Sequence, residues 1–197
     1  TPSVKLLEQF LLEEGITIQN LKNISFRTKL DMGLSAENKL VESPRIMDCY
    51  ICSFLEAINY TENCYTCQFA SIERAADITL GDSWGTEYKE EEKKGISLIL
   101  VQTQKGRSLL KMSEIETKDV NLDVAIANNH QLSRPSDLSP RRKIFLWLIK
   151  NGFSYKAATF FALPVMVVRQ WIKSILITLG FMGGKIKYGI TVFDDEL

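Results

Sequence analysis

The sequence predicts an α/β domain, equally readable as mixed α+β, in which a small sheet carries flanking helices and a helical C-terminal appendage follows. Three observations predict it. Short runs of alternating or continuous apolar residues are interleaved with stretches of three-and-four apolar spacing, the signature of strands among helices. A length of 197 residues suits one domain with an appendage and buries a core without disulfides. Beyond residue 140 the composition shifts to large apolar residues, so the chain divides into a body over 1–140 and a tail over 141–197.

In order, "SVKLLEQFLLEEG" reads as a helix with Val4, Leu7, Phe10 and Leu11 on one face, Ser3 as its cap and Gly15 as its end. "NISFRTK" (23–29) alternates like a short strand, and "LDMGLSAENK" reads as a loop. The spacing of Ile46, Cys49 or Tyr50, Phe54 and Ile58 predicts a helix over 43–58. "ADITLGD" (76–82) is a strand running into a glycine turn, and "EYKEEEKK" (87–94) a solvated charge run. "GISLILVQT" (95–103) is the clearest buried strand, with a short helix after it over 104–114. "IETKDVN" reads as a further strand and "LDVAIANNHQL" (122–132) as a helix. Pro135 and Pro140 mark a break before two or three amphipathic helices. The longest uncharged run there, Ala157 to Val168, has 12 residues and contains Pro164, whereas spanning a bilayer takes about 20. No transmembrane helix is therefore expected. The apolar stripe of Val168, Trp171, Ile172, Ile175, Leu176 and Leu179 docks on the body, on a partner or on a membrane surface.

The formal net charge is zero, which argues against nucleic acid as a partner. No secretory leader is evident, and the absence of an initial Met suggests a processed chain or a piece of a longer one. The four cysteines, Cys49, Cys52, Cys64 and Cys67, lie within 19 residues as C-x2-C-x11-C-x2-C. Disulfide staples would spread more widely, so the pattern indicates a reducing cytoplasm. The sequons at Asn23 and Asn59 are discounted for the same reason.

Paired C-x2-C clips present thiolates to one metal, and the spacing leaves both structural zinc and an iron–sulfur cluster open. For Cys49 and Cys52 there is a plainer reading, small hydrophobes on an apolar helix face. In "ADITLGDSWG", Gly81 permits a sharp turn or close ligand approach, Asp82 offers an acceptor and Trp84 a flat apolar face. A structural turn with a capping Asp and a core Trp fits equally. Arg27 and Lys29, on alternate strand positions, suit a phosphate or carboxylate, or form a plain exposed face. His130 is the sole histidine, so a catalytic triad or multi-histidine metal site is unsupported.

Taken in series, several blocks resemble one family. These are Cys64-Tyr65-x-Cys67, Arg74, "ADITLGDSWG" (76–85), "ISFRTK" (24–29), "GISLILVQTQKGRSLL" (95–110) and the opening "TPSVKLLEQFL". Together, over about residues 1–145, they resemble the C-terminal domain of the coenzyme F-420 hydrogenase/dehydrogenase beta subunit family. The resemblance implies an oxidoreductase electron-transfer subunit that carries a 4Fe-4S cluster and FAD, exchanges electrons with coenzyme F-420, and works with a redox partner or hydrogenase-type subunit. By this resemblance Cys64 and Cys67 become metal ligands; Cys49 and Cys52 match no cysteines of the family and would complete a site only as recruits. Arg74, Asp77, Gly81, Asp82, Trp84 and Gly85 become cofactor-lining candidates, with Arg27 and Lys29 toward phosphate. The chain departs from the family pattern at Ser83, where Phe is usual, at Leu34, where many relatives carry Trp, and at Glu62-Asn63 before the clip. The family's upstream cysteine-bearing region is also missing from this sequence. Bacterial relatives resemble partners of cell-surface polysaccharide enzymes. The alternative is thus a structural zinc or metal-free adaptor, cytoplasmic or peripheral to the membrane.

Overall fold

The computed structural model describes residues 2–27, 32–37, 39–41, 48–92 and 95–181. In chain order the elements are α1 (Val4–Glu13), β1 (Ile24–Arg27), β2 (Met32–Ala36), β3 (Lys39–Leu40), α2 (Cys49–Leu55), β4 (Ile78–Asp82), α3 (Lys89–Glu92), β5 (Ser97–Val101), α4 (Gln104–Met112), α5 (Leu122–Asn128), α6 (Pro140–Lys150), α7 (Tyr155–Ala162) and α8 (Pro164–Thr178). All strand pairs among the described residues are antiparallel, so the predicted mixture of helix and strand takes its α+β form. The described residues group into two units, 2–62 with 137–181, and 63–136.

In the first unit, α1 buries Leu6, Phe10 and Leu11. Val4, expected on the same face, is 71% exposed, because the buried stripe runs through Leu6 instead. Ser3 holds the cap position through its carbonyl, which accepts the Leu7 N–H at 3.1 Å; its side chain makes no cap bond. Gly15 follows the helix at φ +76°, as its expected role as terminator requires.

The expected loop "LDMGLSAENK" instead contains β2, the middle strand of a β1–β2–β3 sheet. Leu34 and Ala36 point inward on either side of Ser35, and Gly33 hides this two-residue period from a sequence reading. Asp48 joins this sheet to α2. One carboxylate oxygen caps α2 through the Ile51 N–H at 2.7 Å, and the other accepts the Leu34 N–H at 2.5 Å. Residues 43–47 of the expected helix, Ile46 included, lie outside the described residues.

Tyr155 stands at the centre of the unit's core. Its ring centroid lies 5.1 Å from Phe10, 5.2 Å from Phe145 and 6.0 Å from Tyr50. Its hydroxyl meets Ser53 Oγ at 2.5 Å and accepts from Asn59 Nδ2 at 3.2 Å. Thus α6 and α7 complete one core with α1 and α2. Buried Arg142 donates to the Ile58 carbonyl at 3.2 Å and pairs with Glu62. Asn59 is itself fully buried, which removes its sequon from any modifying enzyme in the folded chain. Among the described residues, no single helix is long and apolar enough to cross a membrane.

The second unit is smaller. β4 and β5 pair from Ile78↔Val101 to Asp82↔Ser97. Leu98, Ala125 and Leu132 form its buried cluster, with Leu100, Val120 and Ile126 against them. β5, expected to be thoroughly buried, buries only Leu98, because a two-stranded sheet gives it one covered face. The strand expected over 115–121 is absent. That stretch is held by side chains rather than a ladder: Tyr88 Oη donates to the Asp119 carbonyl at 2.7 Å, and Lys118 pairs with Glu91.

Candidate functional site

The second unit holds most of the residues singled out from the sequence. A 3-10 turn over Glu62–Cys64 delivers Cys64, and Cys67 follows on the loop. Both thiols are half-buried. Cys52 is buried within α2, while Cys49 packs against the first unit's core. That is the placement a small hydrophobe takes. Among the described residues no group of three or more His, Cys, Asp or Glu side chains is gathered about one point. A 4Fe-4S cluster takes four thiolates. The described residues of this chain do not by themselves fit one.

Asp77 sits immediately before β4 and faces the start of α4. Its Oδ1 accepts from Thr103 Oγ1 at 2.5 Å, and its Oδ2 lies 3.5 Å from Lys105 Nζ. Thr103 Oγ1 also caps α4 by accepting the Gly106 N–H at 3.2 Å. The Asp77 carbonyl accepts the Gln102 N–H at 3.0 Å. The Thr103 hydroxyl first, then the Lys105 charge, hold the Asp77 carboxyl below its ordinary value. A depressed carboxylate stabilises the fold above the ordinary carboxylate pKa of about 4 and stops doing so as pH falls through the folded value. In Asp77→Asn this part of the acid sensitivity is expected to disappear. The check is the acid limb of the folding transition, followed by circular dichroism beside the parent chain.

Arg74 is held by backbone. Its Nε donates to the Ser71 carbonyl at 2.6 Å and its Nη2 to the Gln131 carbonyl at 2.9 Å. It thereby pins the loop after the clip to the turn His130–Leu132.

Gly81 does not turn the chain. It pairs with Leu98 inside β4, and a Cβ there would meet nothing within 4 Å. The turn lies at Gly85, with φ +70°, and a Cβ at Gly85 would run into the Asn128 side chain. Asn128 is itself fixed by its Nδ2 bond to the Val124 carbonyl at 2.9 Å. Gly85→Ala is therefore expected to destabilise by about 1–3 kcal/mol, from left-handed strain plus overpacking. Gly81→Ala should stay within about 0.5 kcal/mol of the parent. Thermal unfolding of the two variants side by side checks the contrast.

Along β4 and its exit, Leu80, Asp82 and Trp84 are exposed, and Leu80 and Asp82 share one face by the two-residue period. The Trp84 ring is 52% exposed while neighbouring Ser83 is buried. Trp84 is therefore not the core residue of the plainer reading. Two residues after Asp82 it presents an exposed apolar plane, which suits a flat ring. Arg27 ends β1, its side chain and Lys29 lying outside the described residues. In the first unit, Pro2, Val4, Leu7, Phe26, Tyr50 and Phe54 line an apolar cleft of about 390 Å³.

Sequence reasoning did not find Thr103, Lys105 and Gly106 as the partners of Asp77. The signal was present as the block "VQTQKG", in which Thr103, a residue type favoured as an N-cap, stands immediately before the expected helix over 104–114.

A family model described as the C terminus of the coenzyme F420 hydrogenase/dehydrogenase beta subunit matches residues 1–122. No curated protein and no solved structure matches the chain.

Proposed function

Because the chain belongs to the family defined by the C terminus of the coenzyme F420 hydrogenase/dehydrogenase beta subunit, we propose that it serves as an electron-transfer module of an oxidoreductase, working beside a redox partner or hydrogenase-type subunit. The observation that carries this reading is the family match over residues 1–122, which contains both the Cys64–Cys67 clip and the "ITLGDSWG" run. On this reading FAD docks its ring against Trp84, with Asp82 and the Gly85 turn beside it; Arg27 and Lys29 are phosphate-binding candidates by the family resemblance alone. Arg74 and Asp77 position this region rather than touch the flavin, since backbone carbonyls, Thr103 and Lys105 already engage them. Cys64 and Cys67 supply two thiolates toward a 4Fe-4S cluster, whose remaining ligands come from elsewhere. Coenzyme F-420 is the proposed exchange partner, and the cysteine usage supports a cytoplasmic setting.

Metal and flavin analysis of anaerobically purified full-length protein tests this. Iron, acid-labile sulfide and bound flavin are expected, with iron falling in Cys64→Ala and Cys67→Ala. A protein with neither iron nor flavin after reconstitution sinks the reading.

A second reading, a structural zinc or metal-free adaptor among cell-surface polysaccharide enzymes, draws on one observation: Cys52 is buried in a helix and Cys49 lies against the core. About one zinc per chain without iron, or no metal in a fully folded protein, favours it.

A further inference from the structure

The outer face of α8 is largely uncovered within the described residues of the first unit, although Trp171 stacks on Phe160 of α7 with ring centroids 5.8 Å apart. The buried residues of α8 are Val167 and Gln170 only. Val165 is 80% exposed, Ile172 53%, Ile175 57% and Leu179 63%, with Val168 and Trp171 exposed between them. These positions recur at three and four residues, so they form one stripe along the helix. Arg169 stands beside the stripe, lining the open groove formed with Pro164, Val165, Val168 and Ile172, and Lys173 follows one turn on. Such side chains can lay their stems along apolar surface and keep their charge in the polar layer.

The charge pattern narrows the occupant. The tail 141–197 has nine Lys and Arg against three acidic residues, Asp194, Asp195 and Glu196, all at its end, although the chain as a whole is neutral. Three of these bases are matched from outside the segment, Arg141 by Glu56, Arg142 by Glu62 and Lys156 by Glu14. Lys143, Lys150 and Arg169 face solvent. A second copy placed symmetrically on this face would bring like charge against like. A protein surface of mixed sign would leave its own cations opposed. An anionic lipid surface supplies uniform negative charge and an apolar layer in one plane, where Trp sits at the boundary. Neither α7 nor α8 is alone long and apolar enough to cross a membrane, and the two are bent by 106° at the break before Pro164, so α8 suits lying in the interface rather than crossing it.

We propose that the outer face of α8 docks this chain onto an anionic lipid surface, with Val165, Val168, Trp171, Ile172 and Ile175 entering the headgroup boundary and Arg169 contacting lipid phosphates. This stands independently of the redox reading, since it uses none of the clip or β4 residues.

The test is cosedimentation of the full chain with vesicles of phosphatidylcholine alone and of phosphatidylcholine mixed with phosphatidylglycerol. Binding to the mixed vesicles is expected to exceed binding to the neutral ones by about tenfold or more and to weaken as salt is raised. Arg169→Glu should lower it roughly fivefold or more. Ile172→Glu, at an exposed position and so without loss of fold by circular dichroism, should abolish it. Equal binding to both vesicle types, no binding to either, or unaltered binding by the two folded variants overturns the proposal. So does a result in which Ile172→Glu changes only the sedimentation mass, which would assign the face to a second copy. Ile172-dependent capture of an acidic protein with no affinity for vesicles overturns it as well.

Discussion

Truncating Tyr155 to alanine is expected to lower the stability of the first unit by about 4 kcal/mol, the scale of losing a fully buried aromatic side chain. The ring is 0% exposed and touches Phe10, Phe145 and Tyr50, contributed by α1, α6 and α2. No single neighbour can move into the space without giving up its own contacts. The hydroxyl has a separate effect. Tyr155→Phe keeps the packing but deprives Ser53 and Asn59 of a partner, at a cost of about 1–2 kcal/mol. Denaturant titration separates the two: the midpoint shifts strongly for alanine and modestly for phenylalanine, with an unchanged slope for each. Burial, ahead of all other causes, pushes the Tyr155 hydroxyl above its ordinary value. A raised pKa on an acid means that the folded state favours the neutral hydroxyl. This contribution is intact below the unfolded tyrosine pKa of about 10 and is lost as pH rises beyond it. The alkaline limb of unfolding should therefore move in Tyr155→Phe.

Gly106→Ala is expected to destabilise the second unit by about 2–3 kcal/mol, against the sign that helix propensity alone dictates. Gly106 lies in the first turn of α4, where alanine would normally gain about 1 kcal/mol. A Cβ at that position, however, falls well inside contact with the Asp77 carbonyl oxygen and 2.9 Å from its carbon. Both are backbone atoms, so no rotamer relieves the clash. Relief requires drawing α4 away from β4, which also stretches the Thr103–Asp77 bond and the Gln102–Asp77 backbone bond. Thermal unfolding of Gly106→Ala, with Gly81→Ala in β4 as the control for glycine removal in the same unit, reads the effect. A stabilised Gly106→Ala variant would show that the close approach is not maintained in solution.

The elements that the sequence shows plainly are those whose determinants are local. Helix α1 has its apolar spacing and Gly15, α4 has Thr103, and α6 has Ser139 with Pro140 in its first turn. Strand β4 was legible because Ile78, Leu80 and the glycine-rich exit lie together. The misreadings are non-local in origin. Leu34 becomes a strand residue through Asp48, fourteen positions away, which accepts its N–H. "IETKDVN" alternates like a strand, but no neighbouring strand among the described residues lies beside it; Tyr88 and Glu91 hold it instead. In the candidate site, residue type offered Trp84 as a flat apolar face but left open whether that face is exposed or in the core. The restraint of Arg74 by the Gln131 carbonyl could not, because spacing carries no information about a partner 57 residues on.

The family match ends at residue 122, yet the core around Phe10 takes Phe145, Tyr155 and Ala158 from beyond it. This sets an order of events during synthesis. The two amphipathic helices α1 and α2 leave the ribosome long before their packing partners exist. The second unit, contiguous in sequence, can close on its own side chains in the interval. During that interval Phe10, Leu11 and Ile51 have no completed core to enter. The earlier-made part of the nascent chain therefore keeps this apolar stretch without its final packing partners until α7 emerges.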